Sequence, residues 1–136
     1  ADYFMILQPT SPLRTAADVD ASIALAQQKD ADGVIGMAEM HGHPYWCKTL
    51  LLDGRLAPLF DAGTGSLRRQ DLPPALMPNG AIYLARTPWF RQSGSFYGDR
   101  TFAYVMPPER SLDIDTAWEL ELARLLVQRN IHHENH

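Results

Sequence analysis

Cysteine is nearly missing from this 136-residue chain. Cys47 stands alone, which excludes an intramolecular disulfide and fits a reducing cytoplasm. It has no paired-Cys or Cys/His pattern around it, so a packed bystander is the simpler reading than a nucleophile or metal ligand. Long apolar runs are missing too. None approaches the roughly 18–20 residues of a membrane-crossing helix, which argues against a membrane protein. A basic excess is also lacking. The formal net charge is -4 and no Lys/Arg stripe runs along the chain, which speaks against a polynucleotide surface. A mononucleotide substrate stays compatible, because it needs only a few placed cations or a metal. The N-terminal stretch Ala1–Leu7 has neither the basic start nor the small-residue cleavage site of a signal peptide. It opens directly into an apolar strand without an initiator Met, and the expectation is that something upstream is missing. Internal repeats and low-complexity segments are absent.

What is present reads as one soluble globular domain. The hydrophobic share is 46% and the charged share 21%, ordinary values for such a domain, and a chain of this length buries roughly two-thirds of its unfolded surface. Residues 2–8 form a short apolar run ending in Gln8-Pro9, expected as a strand buried on both faces of a parallel sheet. Pro9-Thr10-Ser11-Pro12 breaks the chain. A helix then starts at Thr15, with Asp18 completing a capping box and Val19, Ile23 and Ala26 at helical spacing. Val34–Ala38 is the next strand, making a strand–helix–strand unit. Lys48–Leu52 and Arg55–Phe60 flank Asp53-Gly54, a hairpin signal with a two-residue turn. Residues 61–79 hold two Gly and three Pro and read as an irregular excursion, of the kind that is functional or packs on a partner. A strand is expected at Gly80–Ala85, a short helix from Thr87-Pro88 to Gln92, and a strand at Phe102–Met106. The final helix is capped by Thr116 with Glu119, and Trp118, Leu122, Leu125 and Leu126 form its apolar stripe. Asn130–His136 reads as a frayed polar tail.

Three segments carry groups suited to chemistry. Asp113-Ile114-Asp115 lies where an extended stretch meets a helix. Residues two apart in extended chain point to one side, roughly 6.5–7 Å apart, and two such carboxylates suit a hard divalent cation. Asp115 as a helix cap and Asp113 as a solvated loop acid is the alternative. Gln8–Arg14 follows the first strand, where ligands of open α/β sheets bind. Gln8, Thr10 and Ser11 are placed to hydrogen-bond something polar, and Arg14 to meet an anion; a plain two-proline turn is the alternative. Asn79-Gly80 followed by Tyr83 can orient a polyhydroxylated ligand through amide and hydroxyl groups, or can be a turn with Tyr83 in the core. Phe96-Tyr97 can floor a pocket or simply pack. His41 and His43 suggest a metal pair only weakly.

Taken in order, these segments resemble the CMP-N-acylneuraminate (sialic acid) cytidylyltransferase family. The likeness rests on Leu7-Gln8-Pro9-Thr10-Ser11-Pro12-Leu13-Arg14, His43-Pro44 with Lys48-Thr49-Leu50, Arg69-Gln70-Asp71-Leu72-Pro73, Pro78-Asn79-Gly80-Ala81-Ile82-Tyr83 and Ser111-Leu112-Asp113-Ile114-Asp115-Thr116. It reaches about Val127, and it resembles the C-terminal portion of the family's domain.

The resemblance implies a Rossmann-like α/β nucleotidyltransferase fold over residues 1–127 whose N-terminal part is missing, followed by a polar tail at 128–136. Residues 45–79 would form a dimerisation arm of hairpin and loop. It implies a CTP-dependent enzyme that joins CMP to a nine-carbon 2-keto acid sugar and releases pyrophosphate. Asp113 and Asp115 would be catalytic as Mg²⁺ ligands. Gln8, Asn79, Tyr83, Phe96 and Tyr97 would contact the acyl sugar, and Lys48 and Arg69 would supply cations near its carboxylate or a phosphate, from the partner in a homodimer. Asn79-Gly80-Ala81 favours the sialic or legionaminic branch. The family's Gly/Arg/Lys-rich CTP-binding loop has no counterpart here, and Met77 stands where many members place Arg. A non-catalytic, dimerising or ligand-binding remnant is therefore the competing expectation, with self-association covering residues 2–8. No nucleic-acid or membrane partner is expected, and the expected location is the cytoplasm.

Overall fold

The computed structural model describes residues 2–60 and 67–134, so part of the expected arm (61–66) and the end of the expected tail lie outside the described residues. In chain order the elements are β1 (Tyr3–Ile6), α1 (Ala16–Lys29), β2 (Gly33–Glu39), β3 (Lys48–Leu50), β4 (Leu56–Pro58), β5 (Leu76–Arg86), α2 (Thr87–Ser93), β6 (Thr101–Val105) and α3 (Ala117–Glu134). Single 3-10 turns occur at Pro44–Trp46, Arg69–Asp71 and Pro108–Arg110. The chain divides into two compact units, Ala1–Ala38 with Pro78–His136, and Glu39–Met77.

The first unit is built on a four-stranded mixed sheet in the order β1-β5-β2-β6. β1 runs antiparallel to β5, with Phe4 opposite Ala85 and Ile6 opposite Tyr83. β2 runs parallel to β6, from Gly33 opposite Thr101 to Met37 opposite Val105. The strand–helix–strand expectation holds in sequence, but β5 lies between β1 and β2. β1 is shorter than residues 2–8 and is not buried on both faces. It is an edge strand with one hydrogen-bonded neighbour, so its side chains are only half covered, and Ile6 and Leu7 are exposed. Gly33–Gly36 of β2 is buried throughout, the continuous run expected of an interior strand.

α1 starts where the capping box directs it. Asp18 N donates to Thr15 Oγ1 at 3.2 Å and Thr15 N donates to Asp18 Oδ2 at 2.9 Å, satisfying two amides that the first turn leaves unpaired. Ala26 of α1 then packs with Ala31, Val34, Ala81, Ile82, Leu84 and Met106 in the main core. A separate aromatic cluster forms where Phe4 meets Phe90 of α2 at 5.0 Å and Phe96 at 5.9 Å between ring centres.

α3 departs from expectation twice. Trp118 and Leu125, placed in a core stripe by their spacing, are 71% and 62% exposed, and Ala123 is the buried position. Leu122 and Leu126, the other two residues of that stripe, are half-buried beside it. The helix also continues through the stretch read as tail, to Glu134. No Gly or Pro interrupts 117–134, and Gln128, Arg129 and Glu134 are sound helix formers whether or not they pack.

The second unit contains the β3–β4 hairpin, with Thr49 opposite Ala57 and Leu50 opposite Leu56. Its strands are shorter than expected and its loop has three residues, not two. Leu51 N donates to Arg55 O at 2.8 Å, and Gly54 N donates to Leu51 O at 2.9 Å with Gly54 at φ 88°. A glycine in the left-handed region at the third loop position is the usual three-residue solution. His43 is buried. Its Nδ1 accepts the Tyr45 amide at 3.2 Å, which places the ring proton on Nε2, 2.9 Å from Pro73 O. Both nitrogens are thus used within the unit, which accounts for His43 without a metal.

Candidate functional site

The loop after β1 is braced by its own arginine. Arg14 donates to Ser11 O at 2.7 Å and to Gln8 O at 2.8 Å, so the guanidinium read as an anion contact holds the loop's carbonyls instead. This bracing fixes Gln8 and Ser11 beside the middle of β5. Ser11 is buried, and its Oγ lies 2.9 Å from Asn79 O and 3.3 Å from Asp113 Oδ1. Gly80 stands between them at φ 74°. A Cβ on Gly80 would lie 2.7 Å from Gln8 Oε1, 2.7 Å from Ser11 Oγ and 3.2 Å from Asp113 Oδ2. Three oxygens from two segments, the loop after β1 and the stretch before α3, therefore close over Gly80 and leave no room for a side chain there.

Asn79 is the buried support of this arrangement. Its Oδ1 accepts the Ala81 amide at 3.0 Å, and its Nδ2 donates to Ser111 Oγ at 3.1 Å and faces Met106 Sδ at 3.3 Å. The amide ties β5 to the segment that leads to the two aspartates. Tyr83, two pleats further on, has its ring 5.4 Å from that of Phe96. Burial, and then the negative charge that Tyr97 and Asp113 would present, push the Tyr83 hydroxyl above its ordinary range, so at neutral pH it is a protonated donor. Phe96 is half-buried against Phe4, Phe90 and Tyr83, whereas Tyr97 is 52% exposed.

Asp113 is half-buried and Asp115 exposed, in an extended stretch just before α3. Thr116 Oγ1, not Asp115, accepts the Glu119 amide at 3.2 Å, while Asp115 contributes its backbone N–H to Glu119 Oε1 at 3.1 Å. The Asp115 carboxylate is therefore not spent on capping. The stretch is anchored by Ile114 N, which donates to Thr10 O at 2.7 Å. Among the described residues, no group of three or more His, Cys, Asp or Glu could hold a metal ion. A cation at Asp113 and Asp115 would take one or two carboxylate oxygens and complete its shell from water or a ligand, as Mg²⁺ commonly does.

Lys48 and Arg69 belong to the second unit. Lys48 is exposed at the start of β3. Arg69 lies 5.0 Å above the Trp46 ring and donates to His41 O. It lines a pocket of about 230 Å³ with Glu39, Met40, His43 and Leu72–Ala75.

The motif reading passed over several groups. Asp18 was expected only as a capping residue, yet it is buried. Its Oδ1 accepts from Tyr104 OH at 2.8 Å and Arg110 Nη2 at 2.9 Å, and its Oδ2 accepts from Arg110 Nε at 3.0 Å. Burial pushes this carboxyl up, but Arg110, with Thr15 and Tyr104, outweighs burial and holds it at about 2. Ser111 is the other missed residue. No local pattern marks a lone Arg or Ser as the partner of something ninety or thirty residues away, although Asp18 at the third helical position was at least a visible carboxylate.

No described protein-family profile matches the chain. Curated proteins do match it. An N-acylneuraminate cytidylyltransferase of Streptococcus agalactiae serotype V is 38% identical over 113 residues, covering 83% of this chain and 27% of the relative. An N-acylneuraminate cytidylyltransferase of Escherichia coli O18:K1:H7 is 29% identical over 126 residues, 93% of this chain and 30% of the relative. The post-translational flagellin modification protein B of Campylobacter coli is 23% identical over 128 residues and is covered to 53%. The chain thus spans about a quarter of the length of the first of these relatives. With the mixed α/β sheet and motif order above, the chain is similar to one segment of N-acylneuraminate cytidylyltransferases.

Proposed function

We propose that this chain supplies the acyl-sugar and metal side of a cytidylyltransferase site. In the reaction, the anomeric hydroxyl of a nine-carbon 2-keto acid sugar, of sialic or legionaminic type, attacks the α-phosphate of CTP. The new O–P bond forms as the bond to pyrophosphate breaks, giving a CMP-sugar. The observation that carries this reading is the convergence of Gln8, Ser11 and Asp113 around Gly80, with the protonated Tyr83 hydroxyl on the same strand.

Gln8 and Tyr83 hydrogen-bond the sugar, and Phe96 and Tyr97 cover its acyl arm. Asn79, spent on Ala81 and Ser111, holds the strand and the aspartate segment in register. Asp113 and Asp115 hold Mg²⁺, which suits two carboxylates because it keeps water and takes substrate oxygens for the rest of its shell. When bound there, the ion neutralises phosphate charge and lowers the pKa of the attacking hydroxyl. Asp113 is half-buried and held beside Ser11. Lys48 and Arg69 offer positive charge to the sugar carboxylate or a phosphate, from the partner copy of a homodimer. The cytoplasm, where CTP is made, is the location that fits.

A second reading draws on a specific observation. The second unit exposes Leu50, Leu52, Leu56 and Leu59, so the chain could serve as a dimerising, ligand-binding segment without turnover. Pyrophosphate release with CTP, Mg²⁺ and N-acylneuraminate separates the two. Turnover by a longer protein containing this segment, abolished by Asp115→Ala, supports the enzyme. Full activity of that variant removes the metal assignment.

A further inference from the structure

We infer that Asp18 and Arg110 are positioning residues for the Asp113–Asp115 carboxylates. This rests on the reading of those two aspartates as the metal ligands.

The stretch from Ser111 to Asp115 belongs to no helix or strand, so its place must come from individual contacts. At its far end Ile114 N reaches Thr10 O. At its near end Arg110 grips Asp18 with both Nε and Nη2, at 3.0 and 2.9 Å. A forked guanidinium–carboxylate pair fixes direction as well as distance. The same Asp18 carboxylate accepts Thr15 N at 2.9 Å, and Thr15 directly follows Arg14, which braces Gln8 and Ser11. One buried carboxylate therefore sets two things at once: where the Gln8–Arg14 loop enters α1, and where the aspartate segment leaves Arg110. The gap between Gln8 or Ser11 and Asp113 depends on both.

Stability alone gives a poor reason for such a pair. Asp18 is taken almost wholly out of water while the Arg110 side chain stays 35% exposed; burying a charge in a pair loses much of what the attraction returns, and apolar side chains of similar size often serve as well or better. What apolar packing does not reproduce is the fixed direction of the fork. Partners that hold metal ligands in place commonly alter metal affinity 10- to 100-fold when removed.

The test is Mn²⁺ binding by the 136-residue chain, followed through paramagnetic line broadening, alongside hydrogen exchange of the Ile114 amide. Asp18→Asn and the doubly apolar Asp18→Leu/Arg110→Met are compared with the parent, the second because it removes the ions while filling their space. The expected result is about tenfold weaker Mn²⁺ binding and faster Ile114 exchange in both, with Arg110→Lys intermediate. If a folded variant lacking the pair binds Mn²⁺ as the parent does, the inference is overturned, whatever happens to its melting temperature. Asp113→Asn is the control. Should it leave Mn²⁺ binding unchanged, the metal reading fails instead, and Ile114 exchange alone then decides whether the pair places the segment.

Discussion

Ser11 Oγ lies 3.3 Å from Asp113 Oδ1, joining the loop after β1 to the segment before α3 across most of the chain's length. The contact exists because Gly80 lets both side chains close over β5. Gly80→Ala should therefore suffer twice, from a left-handed backbone and from a Cβ 2.7 Å from Gln8 Oε1 and Ser11 Oγ. The expected loss is about 2 to 3 kcal/mol in urea melts. Gly54→Ala has the same backbone demand at φ 88° but meets nothing within 4 Å, and should lose only about 1 kcal/mol. Equal losses would mean that the crowding above Gly80 is not real.

Asn79→Ala separates support from ligand contact. Removing the amide leaves the buried Ala81 N–H without a partner and takes one donor from Ser111 Oγ, which keeps its bond to Pro107 O, and this costs about 1 to 3 kcal/mol. A residue that only touched the sugar would lose binding with its melting curve unmoved. Thermal melts of Asn79→Ala without any ligand decide between these.

Asp18 gives the fold a defined acid sensitivity. Its pKa falls from 3.8 to about 2 in the folded chain, so its contribution is present above the unfolded value and is lost as pH falls through the folded one. That contribution is about 2 to 3 kcal/mol, disappearing between about pH 5 and pH 2. Urea midpoints measured over this range should fall more steeply in the parent than in Asp18→Asn. Parallel curves would contradict the assignment.

The hairpin of the second unit pairs Leu50 with Leu56, 71% and 69% exposed. If this face meets a partner copy, Leu50→Asp with Leu56→Asp should shift the chain towards monomer in sedimentation at micromolar concentration. Circular dichroism should stay unchanged, because neither leucine is buried in the single chain. An unaltered sedimentation coefficient would place any dimer contact elsewhere.

Local chemistry was legible in the sequence. The Thr15–Asp18 box, the Asp-Gly hairpin and the apolar run of β2 each rest on near neighbours, and each formed. Elements that depended on distant partners were read less well. β1 was expected to be covered on both faces because apolar composition does not reveal that a strand lies at an edge. Of the stripe on α3, Leu122 and Leu126 are half-buried while Trp118 and Leu125 face outward, since periodicity shows that a face exists and not what lies against it. The site divides the same way. Gln8, Tyr83 and Asp113 stood out by residue type and place, while the crowding over Gly80, the Ser11 bridge and the Asp18–Arg110 pair arise only when segments far apart in sequence meet.

The central claim is that an acyl sugar binds against Gln8, Tyr83 and Asp113, beside the closed spot at Gly80. Amide chemical-shift mapping of the chain with N-acylneuraminate, with and without Mg²⁺, tests it most directly. Shifts should concentrate at Gln8, Gly80, Tyr83 and Tyr97, grow with Mg²⁺ through Asp113 and Asp115, and weaken at least tenfold in Tyr83→Ala. Saturable shifts that map elsewhere, or none at millimolar sugar, would contradict the account.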